Sequence, residues 1–293
     1  MAAFGLLGVV AIVVLAIAWI ALLRTGLAKG PVADDTLHGL GVLPDADTRV
    51  LVGRWRDRAR RWRALGGLPL ATAVVAFSLG VRNELRIGLG GAPVWSDPLL
   101  MGLLGAFAGA IGAELHHLRR RPRGPRTVSL EPRELHAFLP ERARVRLAVV
   151  VGLAAVGSVL HLVLPAVEGV PVPGLLAGLV TAAVVGVQRA IVTRPRPALP
   201  DTLAAADDAV RRLAIRSVDA SGAGAVLLLS LWQASTVSHA LLGEPDQLGL
   251  IVLLMGGLYL AVAVVALVWW WRGGPMMLIA SATRPDRRVE AAS

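Results

Sequence analysis

Cysteine is absent from this chain of 293 residues, which excludes disulfides, thiolate metal sites and cysteine nucleophiles. Lysine is almost absent too: Lys29 is the only one, so 29 of the 30 basic residues are arginine. No lysine lies in a long apolar run, which rules out a retinal Schiff base. No Gly-x-x-x-x-Gly-Lys-Ser/Thr loop exists to cradle nucleotide phosphates, so the chain does not drive transport by its own ATP hydrolysis. His-Glu-x-x-His is missing, and Glu114-Leu115-His116-His117 has the wrong order for a zinc helix. Gly157-Ser158 with His161 lacks the Gly-x-Ser-x-Gly frame of a serine nucleophile. Asp207-Asp208 has no second aspartate-rich motif to complete a Mg²⁺–diphosphate site. In the loop that follows the first apolar run, Asp34, Asp35, His38, Asp45 and Asp47 read as solvated side chains rather than cation ligands. The sequence therefore predicts no enzyme, no resident metal and no cofactor.

Charge is scarce as well. Only 17% of residues are charged against 55% hydrophobic, and the mean hydropathy is +0.65. The charges come in clusters separated by long uncharged runs, whereas a soluble helix would scatter them at a 3.6-residue period. This is the pattern of a membrane protein. The net charge of +10 could point to nucleic acid, but the arginines flank apolar runs, where topology accounts for them. Nucleic acid is not an expected partner.

Seven runs are long enough to cross a bilayer core of about 30 Å at ~1.5 Å per residue. They cover 2–23, 65–81, 98–118, 145–164, 174–192, 222–242 and 248–271. Together they make a single transmembrane domain over 1–282, followed by a disordered cytoplasmic tail at 283–293. With seven spans, all basic residues except Arg82 and Arg86 fall on one side. The excess of arginine marks that side as cytoplasmic, placing the N-terminus outside and the C-terminus inside. The expected fold is all-α: a polytopic membrane helix bundle with amphipathic helices along its cytoplasmic face.

Three stretches belong to that face. Residues 48–64 carry Leu51, Trp55, Ala59 and Trp62 along one edge among six arginines, which suits a helix lying in the headgroup layer. Residues 129–139 open a second short helix. Residues 201–217 make a third, in which Asp207 and Asp208 stand four residues before Arg211 and Arg212, at ion-pairing distance on one face. With Arg119, Arg120 and Arg121, these side chains form the expected cytoplasmic interface. Small residues recur every four positions at Gly105, Gly109 and Ala113, and again at Gly178, Ala182 and Gly186, so both helices should pack backbone to backbone.

Glu114 is the one carboxylate the sequence places inside a span. It is expected to snorkel, or to pair with the arginines that follow; a substrate or coupling site at the cytoplasmic mouth is the sharper alternative. Gln188 sits at a comparable depth and could hydrogen-bond to Glu114 across the interface. His161, Gln233 and His239 lie toward the outer ends of their spans, where water should satisfy them.

The Glu114 junction, the run Arg121-Pro-Arg-Gly-Pro-Arg126 leading to Ser129-Leu and Phe138-Leu-Pro140, and Ala205-Ala-Asp-Asp-Ala-Val-Arg211 carry a likeness. Over its central half the chain resembles uncharacterised multipass membrane proteins of actinobacterial type. The resemblance implies a bacterial inner-membrane (plasma-membrane) location and supplies no activity, ligand or catalytic residue. Two functions remain open. One is a scaffold or regulatory partner presenting its basic face to anionic lipid headgroups or to another membrane or cytoplasmic protein. The other is a permease-like subunit working with a separate ATPase, which should bring polar residues together within the membrane.

Overall fold

The computed structural model describes residues 32, 34–82, 98–119, 126–127, 138–165, 170–194, 196–197 and 201–242, with residues 261, 264, 265 and 268. Among them the chain is helical: α1 (Asp34–Gly39), α2 (Ala46–Arg82), α3 (Pro98–Arg119), α4 (Glu141–Val163), α5 (Val172–Thr193) and α6 (Asp201–Leu242). One antiparallel ladder, β1 (Arg126–Thr127) with β2 (Arg196–Pro197), ties the two arginine–proline tracts together. The expected first span, the tail and residues 129–137 lie outside the described residues. Of the seventh span Ala261, Val264, Val265 and Val268 are described, and all four are helical and exposed.

Three helical stretches are long and apolar enough to cross a membrane: Glu141–Val163, Val172–Thr193 and Leu203–Ser238. Their burial differs. Within the bundle 78% of the apolar window of α6 is covered, against 17% for α4 and 33% for α5. The α6 helix is therefore the central post, packed on α2, α3, α4 and α5. The outward faces of α4 and α5 carry Val149, Val156, Leu175 and Leu179, apolar side chains suited to lipid.

Two expected boundaries are not there. Residues 48–64 do not lie flat as a separate headgroup helix; they are the first half of α2, which runs unbroken for 37 residues. Residues 201–217 likewise continue into the sixth apolar run as α6, 42 residues long. At ~1.5 Å per residue these helices reach about 55 and 63 Å, well beyond a bilayer core of about 30 Å. Neither junction contains a residue that breaks a helix, and tertiary packing holds both halves in line. Instead of facing headgroups, the inner face of α2 is covered: Val52, Trp55, Arg56, Ala59, Arg60 and Arg63 are buried.

The region ahead of α2 is also more ordered than its turn-like composition implies. Arg49 donates from Nε and Nη2 to the two carboxylate oxygens of Asp34, at 2.9 Å each, and pins α1 to α2. Leu37 is fully buried in the same core as Trp55. Gly41, at φ +72°, makes the reversal that a side chain would disfavour. Asp45 then caps α2, its Oδ1 accepting the Thr48 N–H at 2.6 Å.

Helices α2 and α3 touch through glycine. A Cβ on Gly66 would run into the Gly105 carbonyl, one on Gly105 into the Gly66 carbonyl, and one on Gly109 into the Trp62 carbonyl. The first small-residue ladder packs as expected. The second does not: a Cβ on Gly178 or on Gly186 would meet nothing within 4 Å, and Ala182 between them is exposed. That ladder faces outward from the described bundle because α5 turns Val184, Val187 and Ile191 to the core instead.

Substituting Gly109→Ala should cost about 1–3 kcal/mol, since the α2 backbone must retreat. Gly178→Ala should leave stability unchanged. Thermal unfolding of both variants in detergent compares them directly. The Thr48 N–H holds the Asp45 carboxyl below the ordinary carboxylate range. Its cap thus acts fully above the unfolded-state pKa and fades as pH falls through the lower folded-state value. The acid-induced loss of α2 N-terminal protection, read by hydrogen exchange, should be absent from Asp45→Ala, which is unprotected throughout.

Candidate functional site

Where α2, α3, α5 and α6 leave the apolar part of the bundle, they enclose a layer of polar side chains. Glu114, near the end of α3, is only 2% exposed, so it neither snorkels nor reaches solvent. Trp55, one of the largest fully buried side chains, donates its indole N–H to Glu114 Oε1 at 2.9 Å. Arg58, Arg63 and Arg194 stand within electrostatic reach of the same carboxylate. Arg63 also donates from Nη2 to Ser217 Oγ at 2.6 Å, joining α2 to α6. Trp62 lies beside His116, ring centroids 5.2 Å apart. The layer is thus a clamp: one carboxylate from α3, held by an indole and arginines from α2, with α6 tied in through a hydroxyl.

The i,i+4 pair on α6 does more than support its own helix. Arg211 Nε donates to Asp207 Oδ2 at 2.8 Å, and Arg211 Nη1 donates to the carbonyls of Arg194, at 2.8 Å, and Ile191, at 3.3 Å. It thereby satisfies carbonyls at the C-terminus of α5 that have no partner within their own helix. Arg212, in contrast, is exposed.

Gln188 is buried on α5, but its Nε2 makes no hydrogen bond, so the bond from that amide to Glu114 is not formed. The amide faces a residue that sequence reasoning passed over. Asp219 lies within the apolar stretch Leu203–Ser238 and is fully buried, and its Oδ2 pairs with Arg146 of α4. Glu114 is therefore not the sole carboxylate within a membrane-length apolar helix. The available signal was the run Ser217-Val-Asp219-Ala-Ser221, polar at every second position immediately before a long uncharged stretch. Assigning residue 219 to a loop hid it.

Toward the other end of α4 and α6, His161 and Gln233 meet. Gln233 Nε2 and His161 Nδ1 are 2.8 Å apart, and both residues are buried, so the two satisfy each other rather than relying on water. Gly157 makes the room, since a Cβ there would press on Gln233 Cγ. Ser158 donates to the carbonyl of Ala154 at 2.8 Å, so its hydroxyl proton is engaged away from His161.

No protein-family model, curated protein or solved structure matches the chain.

What the site can do follows from its own chemistry. Among the described residues no group of three histidine, aspartate or glutamate side chains could hold a metal ion. Asp34, expected in a solvated loop, is bound to Arg49. The side chains of Arg119 and His239, and all of Arg120 and Arg121, lie outside the described residues.

Trp55→Phe keeps the ring and removes the donor, leaving a buried carboxylate oxygen short of a bond; about 1–3 kcal/mol of stability should be lost. In the Glu114→Gln background the same Trp55 substitution should cost less. A double-mutant cycle of unfolding in detergent measures the difference, and two costs that simply add would mean that indole and carboxylate are not coupled.

Proposed function

We propose that the chain is a multipass protein of the bacterial inner membrane, with seven spans, the N-terminus outside and the C-terminus in the cytoplasm. Its function is that of a non-enzymatic scaffold or regulatory partner. The observation that carries this reading is the continuity of α2 and α6: each joins an apolar half to an arginine-bearing half in one unbroken helix. Buried contacts between Trp55 and Glu114, and between Arg63 and Ser217, lock those halves together at the junction. A rigid basic head joined this way to membrane helices is suited to hold a partner, or anionic headgroups, at a fixed distance from the bilayer. Flat, independently mobile amphipathic helices would not be. The likeness to actinobacterial multipass proteins agrees with the location and adds nothing on activity.

A second reading has its own support. Arg146 with Asp219, and His161 with Gln233, bring polar side chains together inside helices of membrane-spanning length, as a permease-like subunit requires. Purification of the full chain in mild detergent separates the two. A scaffold should retain a membrane or cytoplasmic protein that is released when Arg54→Glu and Arg61→Glu reverse exposed charge on the head. A transport subunit should retain a nucleotide-binding protein. A C-terminal tag should be reachable only after the membrane is opened; labelling it in intact cells would overturn the assigned orientation.

A further inference from the structure

We infer that Asp219, Gln188 and Arg146 form a proton-binding site at the junction of α4, α5 and α6, bridged by one water molecule and opening toward the cytoplasmic side. The inference does not depend on whether the chain is a scaffold or a transport subunit.

Three features of the geometry lead to it. First, the ion pair is lopsided: the Asp219 side chain is 0% exposed and that of Arg146 is 25% exposed. The pair thus has a wet lip and a dry floor. Second, Asp219 uses one oxygen only. Oδ2 takes Arg146, whereas Oδ1 is buried with no hydrogen-bond partner. Third, the Gln188 amide faces this carboxylate, yet its Nε2 is buried and also without a partner. An unbonded acceptor and an unbonded donor lie opposite each other, outside direct hydrogen-bonding geometry. One water between them would accept from Nε2 and donate to Oδ1, satisfying both groups, each of which is otherwise a buried polar atom without a bond.

That water makes Oδ1 the proton acceptor. A proton arriving from solvent past Arg146 passes through the water to Oδ1, which then carries an O–H, and the carboxyl becomes neutral. The guanidinium keeps its charge and loses its counter-charge, so the bridge between α4 and α6 weakens. The charged groups on the other packed helices are already engaged. Arg63 of α2 is bonded to Ser217, one half-turn before Asp219, and faces Glu114 of α3. On α6 itself Arg216 is exposed. None of these can replace Arg146 at Asp219.

Infrared difference spectroscopy on the full chain in lipid vesicles, between neutral and acidic buffer, tests this. Wild type should gain a protonated-carboxyl carbonyl band that disappears in Asp219→Asn. If that variant does not assemble, Asp219→Glu keeps a carboxyl and should shift the band without removing it. Gln188→Leu, which deletes the donor to the water, should also move the band. The chain has no cysteine, so spin labels at Val149→Cys and Arg216→Cys report the α4–α6 distance without background. That distance should lengthen on acidification in wild type and be long at both pH values with Asp219→Asn. A carbonyl band unaffected by every Asp219 and Gln188 substitution, or a label distance indifferent to pH, would mean a purely structural ion pair and overturn the proposal.

Discussion

The close approach of α2 and α3 at Gly66, Gly105 and Gly109 governs the rest of the bundle. Glycine at all three positions lets the backbones touch, and a helix pair in backbone contact has almost no freedom to slide. That register decides which side chains meet farther along. Trp55 stands eleven residues before Gly66 on α2, about three turns, and Glu114 nine residues after Gly105 on α3. Antiparallel packing about the glycines carries both to the same level, where the indole reaches the carboxylate. A tighter or looser contact would separate them by a side chain's width and leave Glu114 buried without its donor.

The second constraint is length. Helices α2 and α6 exceed a bilayer core by roughly a factor of two, and their sequences change character partway along. Arginine dominates the first half of α2 and apolar residues the second; α6 repeats that order with aspartate and arginine. In a lipid environment the apolar halves need no polar partner, whereas the basic halves must find water or counter-charge. Both solutions are used together. Arg54 and Arg61 point outward, while Arg56, Arg60, Arg63 and Arg211 turn inward, where carboxylates, a hydroxyl and helix-terminal carbonyls receive them. Inward arginines make the polar layer a structural joint rather than a lipid-facing skirt.

Much of the fold was legible because it depends on composition and period. Apolar runs marked α3, α4, α5 and the later part of α6, Pro140 marked the start of α4, and the glycine ladder of α3 marked a contact face. The ladder of α5 carried the same pattern without the contact. A small-residue stripe records only that a close approach is sterically possible; the partner decides whether it happens. Continuity of α2 and α6 was hidden for a related reason. A change from polar to apolar looks like a boundary in a sequence, but a helix backbone continues through it unless a proline, glycine or cap intervenes. In the site, Trp55, Glu114, His161 and Gln233 were each recognisable as out of place, while their pairing was not, since it is set by the register of different helices. Asp219 went unrecognised because it stands at the edge of an uncharged run, where loop and membrane helix look alike.

Burying Arg146 against Asp219, and His161 against Gln233, gains the bundle little stability, because apolar pairs of the same volume would pack at least as well in such an interior. What polar pairs supply is discrimination: a helix shifted by one turn leaves each member unsatisfied, at a cost an apolar mismatch does not impose. Along α6, Asp219 and Gln233 are fourteen residues apart, about 21 Å. Between them Ala223, Val226 and Leu229 pack on Val150, Ala154 and Ala177. Small and interchangeable, such residues tolerate sliding, so the two polar pairs at either end fix α4 in register against α6 where the apolar middle cannot. The same arrangement makes the inner pair consequential. Neutralising Asp219 would remove one of these two fixed points on α4, the candidate span that the described bundle covers least.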